Sequence, residues 1–143
     1  MPPRVIDAST IGLEAAQLAI AGAIEKAKSL DFYVCIAVVD RSGQLLAFAR
    51  MDGAPLLTGQ IAQDKAYTAA AFGVPTHQLW ESIRDEPALV HGVVKADRMI
   101  IFGGGVLLVN EGEVVGAIGV SGKTSPGQDQ EIAEAGAQAW SLL

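Results

Sequence analysis

The sequence predicts an α+β fold, an α-β-α sandwich on a single five-stranded antiparallel sheet. Three observations carry that expectation. Phe102 to Gly122, FGGGVLLVNEGEVVGAIGVSG, reads as two strands reversed at Asn110-Glu111-Gly112-Glu113. Val106 to Val109 and Val114 to Val120 are apolar on both faces, which places this hairpin in the middle of a sheet covered on each side. Helical patterns stand before, between and after runs of strands joined by tight turns, so strands pair antiparallel and helices cover both faces.

Taken in order, Ser9 or Thr10 can cap a first helix, with Glu14 in its first turn. Leu13, Ala16, Ile20, Ala23, Ile24 and Ala27 recur at helical spacing through about Leu30. Val34 to Val39 is a buried strand, Asp40-Arg41-Ser42-Gly43 a turn, and Leu45 to Arg50 the returning strand. An Ala-rich helix follows from about Leu57 to Phe72, with Ile61, Lys65, Thr68 and Phe72 near one face and Gly73 as its stop. Thr76 can cap a short helix carrying Leu79, Trp80 and Ile83, which Glu86-Pro87 closes. Ala88 to Lys95 fits neither pattern clearly. Met99 to Ile101 reads as a short strand leading into Gly103-Gly104-Gly105. Ser125-Pro126-Gly127 turns the chain into a last amphipathic helix from Gln128 to about Trp140.

At 143 residues the chain is expected to form one domain, 1–143. Half of it is hydrophobic, 18% is charged, and its mean hydropathy is +0.34. No run approaches the roughly 20 apolar residues of a membrane helix, because Gly, Asp, Glu and Lys interrupt every stretch. The excess apolar surface points to a homo-oligomer. A formal charge of −6 argues against nucleic acid. MPPRVIDAST has no basic-then-apolar leader, and Cys35 is single, so a cytoplasmic location is the expectation. Cys35 sits inside VCIAVV with no basic neighbour, which marks a core thiol rather than a nucleophile.

Ala117 to Thr124, AIGVSGKT, matches a loose phosphate-loop pattern. That loop needs a flexible turn after a strand and a helix opening at Lys-Thr. Here Ile118-Gly119-Val120 continues the strand and Ser125-Pro126-Gly127 follows Lys123-Thr124, so nucleotide hydrolysis is rejected.

Three blocks together resemble a known family. They are Asp40-x-x-Gly43 with Arg50-Met51-Asp52-Gly53-Ala54; Ile61-Ala62-x-x-Lys65-Ala66-x-Thr68-Ala69; and Gly104-Gly105 with Gly116-Ala117-Ile118-Gly119-Val120-Ser121-Gly122 and Asp129-x-x-Ile132-Ala133. In this order and spacing the chain resembles the GlcG/HbpS family, the haem-degrading domain family that includes the C-terminal domain of PduO-type proteins. The resemblance covers nearly the whole chain. It implies a profilin-like sheet of strand order 2-1-5-4-3, assembly into dimers or larger even-numbered oligomers, and haem as a ligand of some members. The chain departs from the family at two places. Gly103-Gly104-Gly105-Val106-Leu107 stands where members often read Pro-Gly-Gly-x-Pro, and Ser9 to Leu30 lacks the first-helix histidine expected as an axial haem ligand.

Candidate site residues follow from chemistry. Lys65, among alanines, either lays its stem along apolar surface with its ammonium in water or anchors an anionic ligand; the family pattern keeps a lysine there. Arg50 can clamp the same anion or pair with Asp52 or Asp40. Gly103, Gly104 and Gly105 offer backbone N–H groups at close range, or simply a bulge. His77 is read as an exposed helix-start residue, and His91 as a core or interface histidine, or else a general base or axial ligand. Asp129 and Glu131 either favour the last helix's dipole or, for Glu131, act as acid or base. No His-x-x-x-His or Cys/His cluster supports a metal site.

Two functional classes follow. The first is a small-ligand binding protein, haem included, using Lys65, Arg50, Gly103, Gly104, Gly105 and Asp129. The second is a cofactor-independent enzyme on a small carboxylate-bearing catabolite, with His91 or Glu131 moving the proton. A structural or sensory subunit is a third reading.

Overall fold

A computed structural model describes residues 1–141. The chain runs α1 (Leu13–Ser29), β1 (Val34–Asp40), β2 (Leu45–Arg50), α2 (Leu56–Phe72), α3 (Thr76–Ile83), α4 (Pro87–Val93), β3 (Gly105–Asn110), β4 (Glu113–Gly122) and α5 (Pro126–Ser141). All strand pairs are antiparallel, and the sheet order is β2-β1-β4-β3.

The sheet therefore has four strands, not five. Among the described residues Met99–Ile101 forms no strand. Arg98 adopts a positive φ of 65°, and the Thr68 hydroxyl captures the backbone on either side. It donates to the Arg98 carbonyl at 2.9 Å and accepts from the Ile100 N–H at 3.1 Å. A side chain of α2 thus takes the hydrogen bonds that a neighbouring strand would have taken. The expected order 2-1-5-4-3 survives without its last member.

β1 and β4 occupy the centre, and strand alternation sorts their side chains into two layers. Val34, Ile36, Val38, Ile118 and Val120 face α1 and α5, whose Ala16, Ala19, Ala23, Ile132 and Ala133 complete that core. Cys35, Ala37, Val39 and Ala117 face α2 through Ala62, Ala66 and Ala69. The second layer is made of small residues, and α2 lies so close that a Cβ at Gly119 would collide with the Ala62 carbonyl and the Ala66 nitrogen. The sandwich and the hairpin reversal at Glu111-Gly112, both at positive φ, match the expectation.

Three helix starts differ from expectation. α1 is capped by the backbone at Gly12, while Thr10 accepts the Arg41 N–H at 3.0 Å and so joins the β1–β2 turn. Thr76 is the first residue of α3 rather than its cap, and its hydroxyl accepts the Gly105 N–H at 2.9 Å. Ser125-Pro126-Gly127 opens α5 rather than preceding it. Ser125 Oγ accepts the Gln128 N–H and Gln128 Oε1 accepts the Ser125 N–H, a reciprocal capping box. The ambiguous Ala88–Lys95 stretch is largely α4, with Pro87 in its first turn and no buried residue.

Candidate ligand-binding site

Where β4 ends and α5 begins, the glycine loop is pressed against α2. Lys65, near the middle of α2, is fully buried, and Asp129, in the first turn of α5, is nearly so. Their Nζ and Oδ2 atoms are 2.9 Å apart, and Nζ also donates to the Val120 carbonyl at 2.8 Å. The Thr124 hydroxyl donates to the other Asp129 oxygen. The Lys65 ammonium stands 5.0 Å from the centroid of the Phe102 ring.

Gly104 makes this approach achievable. Its φ is +125°, and a Cβ there would stand 2.6 Å from Lys65 Nζ and 2.9 Å from the Asp129 Cβ. Burial pushes the lysine pKa down and the aspartate pKa up, and in each case outweighs the opposing pull of the partner's charge.

On the outer side of this pair lies a cavity of about 520 Å³ lined mainly by apolar surface. Its lining includes Phe102 and Gly103 of the glycine loop and Pro126, Gly127 and Gln130 of α5, with Gly103 packed directly against Pro126 and Gln130. α3 contributes His77, Trp80 and Glu81. His77 is half-buried, and its buried Nδ1 has no hydrogen-bond partner among the described residues. Its Nε2 lies 3.5 Å from the Gln130 side-chain nitrogen.

The predicted site residues divide into two groups. Lys65, Asp129, Gly103, Gly104 and Gly105 come together, with Gly103 on the cavity wall. Arg50, His91 and Glu131 do not line this cavity. Arg50 is exposed beside Phe48, Leu56 and Leu57, with Nη1 3.4 Å from the Ala54 carbonyl. His91 is exposed on α4, and Glu131 pairs at the surface with Lys26 of α1 at 3.3 Å. The Lys65 ammonium is not in water, because its whole side chain is enclosed. No group of three or more potential metal-ligating side chains occurs among the described residues.

Sequence reasoning passed over His77, Trp80 and Phe102 as site residues. One signal was available: His77, Trp80 and Glu81 stand at i, i+3 and i+4, one face of α3.

Fold and cavity together define a small α+β domain with a preformed pocket, lined in part by aromatic side chains, near the end of its central strands. Residues 11–138 match the family described as "Haem degrading protein HbpS-like", and the chain belongs to that family. It is 35% identical over 137 residues to a 15.0 kDa protein of the dhaT-dhaS intergenic region of Citrobacter freundii, covering 94% of this chain and 95% of that one. It is 36% identical to GlcG of Escherichia coli K12, over 71% of this chain and 74% of GlcG. It also aligns at 36% identity with the corrinoid adenosyltransferase PduO of Citrobacter freundii, over 78% of this chain and a 33% share of PduO. Among solved structures, Klebsiella pneumoniae ORFY superimposes with a TM-score of 0.93 at 33% identity, covering 100% and 99% of the two chains. The PduOC:heme complex does so at 0.80 and 28% identity, covering 91% and 94%.

The residues of the cavity fit haem. Its volume lies within the roughly 300–1,000 Å³ of small-molecule and cofactor pockets, aromatic rings offer flat contact, and an imidazole, His77, stands in the lining.

Proposed function

We propose that the chain binds a flat, largely apolar small ligand, haem being the leading candidate, in the cavity between Phe102-Gly103, α3 and the first turn of α5. The observation that carries this reading is the cavity itself, with aromatic side chains at Trp80 and Phe102 and the His77 imidazole in its lining. The haem-bound PduOC neighbour supports it. In this reading His77 stands in for the absent first-helix histidine as the iron ligand, and Trp80 and Phe102 hold the macrocycle. Haem, when bound, supplies an iron centre whose reactivity depends on its axial ligand and surroundings.

Binding is favoured over cofactor-free catalysis because His91 and Glu131 lie on separate exposed surfaces outside the cavity. The apolar surface at Phe48, Leu56 and Leu57 supports a homo-oligomer. No helix among the described residues is long and apolar enough to cross a membrane.

Titrating hemin into the protein tests the reading. A shifted, sharpened Soret band saturating at one equivalent per chain is the expected result, and His77→Ala weakens binding by about tenfold or more. A titration that never saturates, or a His77→Ala spectrum identical to the parent's, contradicts it.

A further inference from the structure

We propose that Lys65 and Asp129 are positioning residues of the cavity, and that one buried ammonium holds Phe102 and the first turn of α5 in register. This inference rests on the reading of the cavity as the ligand site. An ammonium has three N–H donors, two of which Lys65 spends on hydrogen bonds, with an aromatic ring beside it. One meets Asp129 Oδ2 at 2.9 Å, one meets the Val120 carbonyl at 2.8 Å, and the Phe102 ring lies 5.0 Å away.

Each of these contacts belongs to a different part of the site. Asp129 sits in the α5 turn whose Pro126, Gly127 and Gln130 form one wall. Phe102 belongs to the lining contributed by the glycine loop, is 44% exposed, and has the ammonium beside its ring. Val120 ties both to the central strand, and its own N–H bonds the Gly104 carbonyl at 2.9 Å. The Lys65 side chain is fully enclosed, so it acts through the walls and not on the ligand.

A core without this pair is expected to fold. Buried ion pairs replaced as a unit by neutral groups of similar volume often leave stability unchanged or raised, whereas removal of one partner strands a charge. Stability and pocket geometry are therefore separable by experiment. Trp140→Phe leaves Trp80 as the single tryptophan, since the chain has two. In that background, Lys65→Met with Asp129→Asn keeps an acceptor for the Thr124 hydroxyl while removing both charges.

The expected result is a Tm within about 4 °C of the parent, with the acrylamide quenching of Trp80 in the ligand-free protein rising about twofold as the Phe102 wall loosens. Hemin affinity falls about tenfold. Lys65→Gln with Asp129→Asn retains a donor for the Val120 carbonyl. It is the variant to read if the methionine form does not fold, and the same changes are expected of it. Unchanged quenching and unchanged hemin affinity in a folded double variant overturn the proposal. Quenching needs no ligand, so it tests the wall even if hemin fails to bind the parent, an outcome that would overturn the haem reading alone.

Discussion

Lys65 and Asp129 are the residues at which burial and charge compete most directly. Lys65→Ala leaves the Asp129 carboxylate enclosed beside Thr124 with no cation, which is expected to cost about 3–5 kcal/mol at neutral pH. The pH dependence follows from the sign of the shift. Burial raises the aspartate pKa in the folded chain, and loss of the lysine removes the attraction that opposed it. Between the ordinary carboxylate pKa and the raised one, the folded state holds the proton while the unfolded chain releases it. Stability of the variant therefore falls as pH rises through that window and recovers on acidification. Urea unfolding of the parent and of Lys65→Ala at neutral and mildly acidic pH measures the difference. A penalty that narrows toward acid is expected, and one that stays constant or widens contradicts the assignment.

At the scale of elements, the site is a meeting of ends. β4 stops at Gly122, α5 starts at Pro126, and α3 starts at Thr76, whose hydroxyl accepts the first N–H of β3. Thr76→Val keeps the shape and removes the acceptor for a buried N–H, so it is expected to cost about 1–3 kcal/mol and to loosen α3 with its His77 and Trp80. Thermal unfolding checks the first effect. A Tm equal to the parent's would mean that the Gly105 N–H finds another partner.

The same junction marks the limit of what the residues disclosed beforehand. α1 was plain because its buried face repeats at helical spacing, α2 from its run of alanines closed by Gly73, and β1 and β4 because they are unbroken apolar runs, buried on both faces, bounded by turn residues. The Asp40 turn was equally plain: Asp40 Oδ1 accepts the Ser42 and Gln44 N–H groups, and Gly43 takes a φ of +89°. Met99–Ile101 looked like a strand because its apolar composition suits one. Its pairing was decided instead by the Thr68 hydroxyl, 32 residues from Ile100, a contact that no local pattern records.

For the whole molecule, the family blocks and the tertiary structure converge on one place. Lys65, Gly104-Gly105 and Asp129 lie in three separate stretches of the sequence, and folding gathers them around a single ammonium. The Arg50 and Asp40 blocks lie elsewhere, at the β2 end and the β1–β2 turn. The aromatic side of the cavity was hidden because Trp80 and Phe102 are 22 residues apart and each resembles an ordinary surface-facing apolar residue. Their partnership depends on the glycine loop folding back over α3.

The claim on which the rest depends is that the ligand enters this cavity and no other surface. Hemin added to the Trp140→Phe protein tests it through Trp80, since a haem seated beside the indole extinguishes its fluorescence. The account predicts that emission falls in step with the Soret change and levels off at the same single equivalent. Soret saturation with Trp80 emission undiminished would place the haem elsewhere on the chain and contradict it.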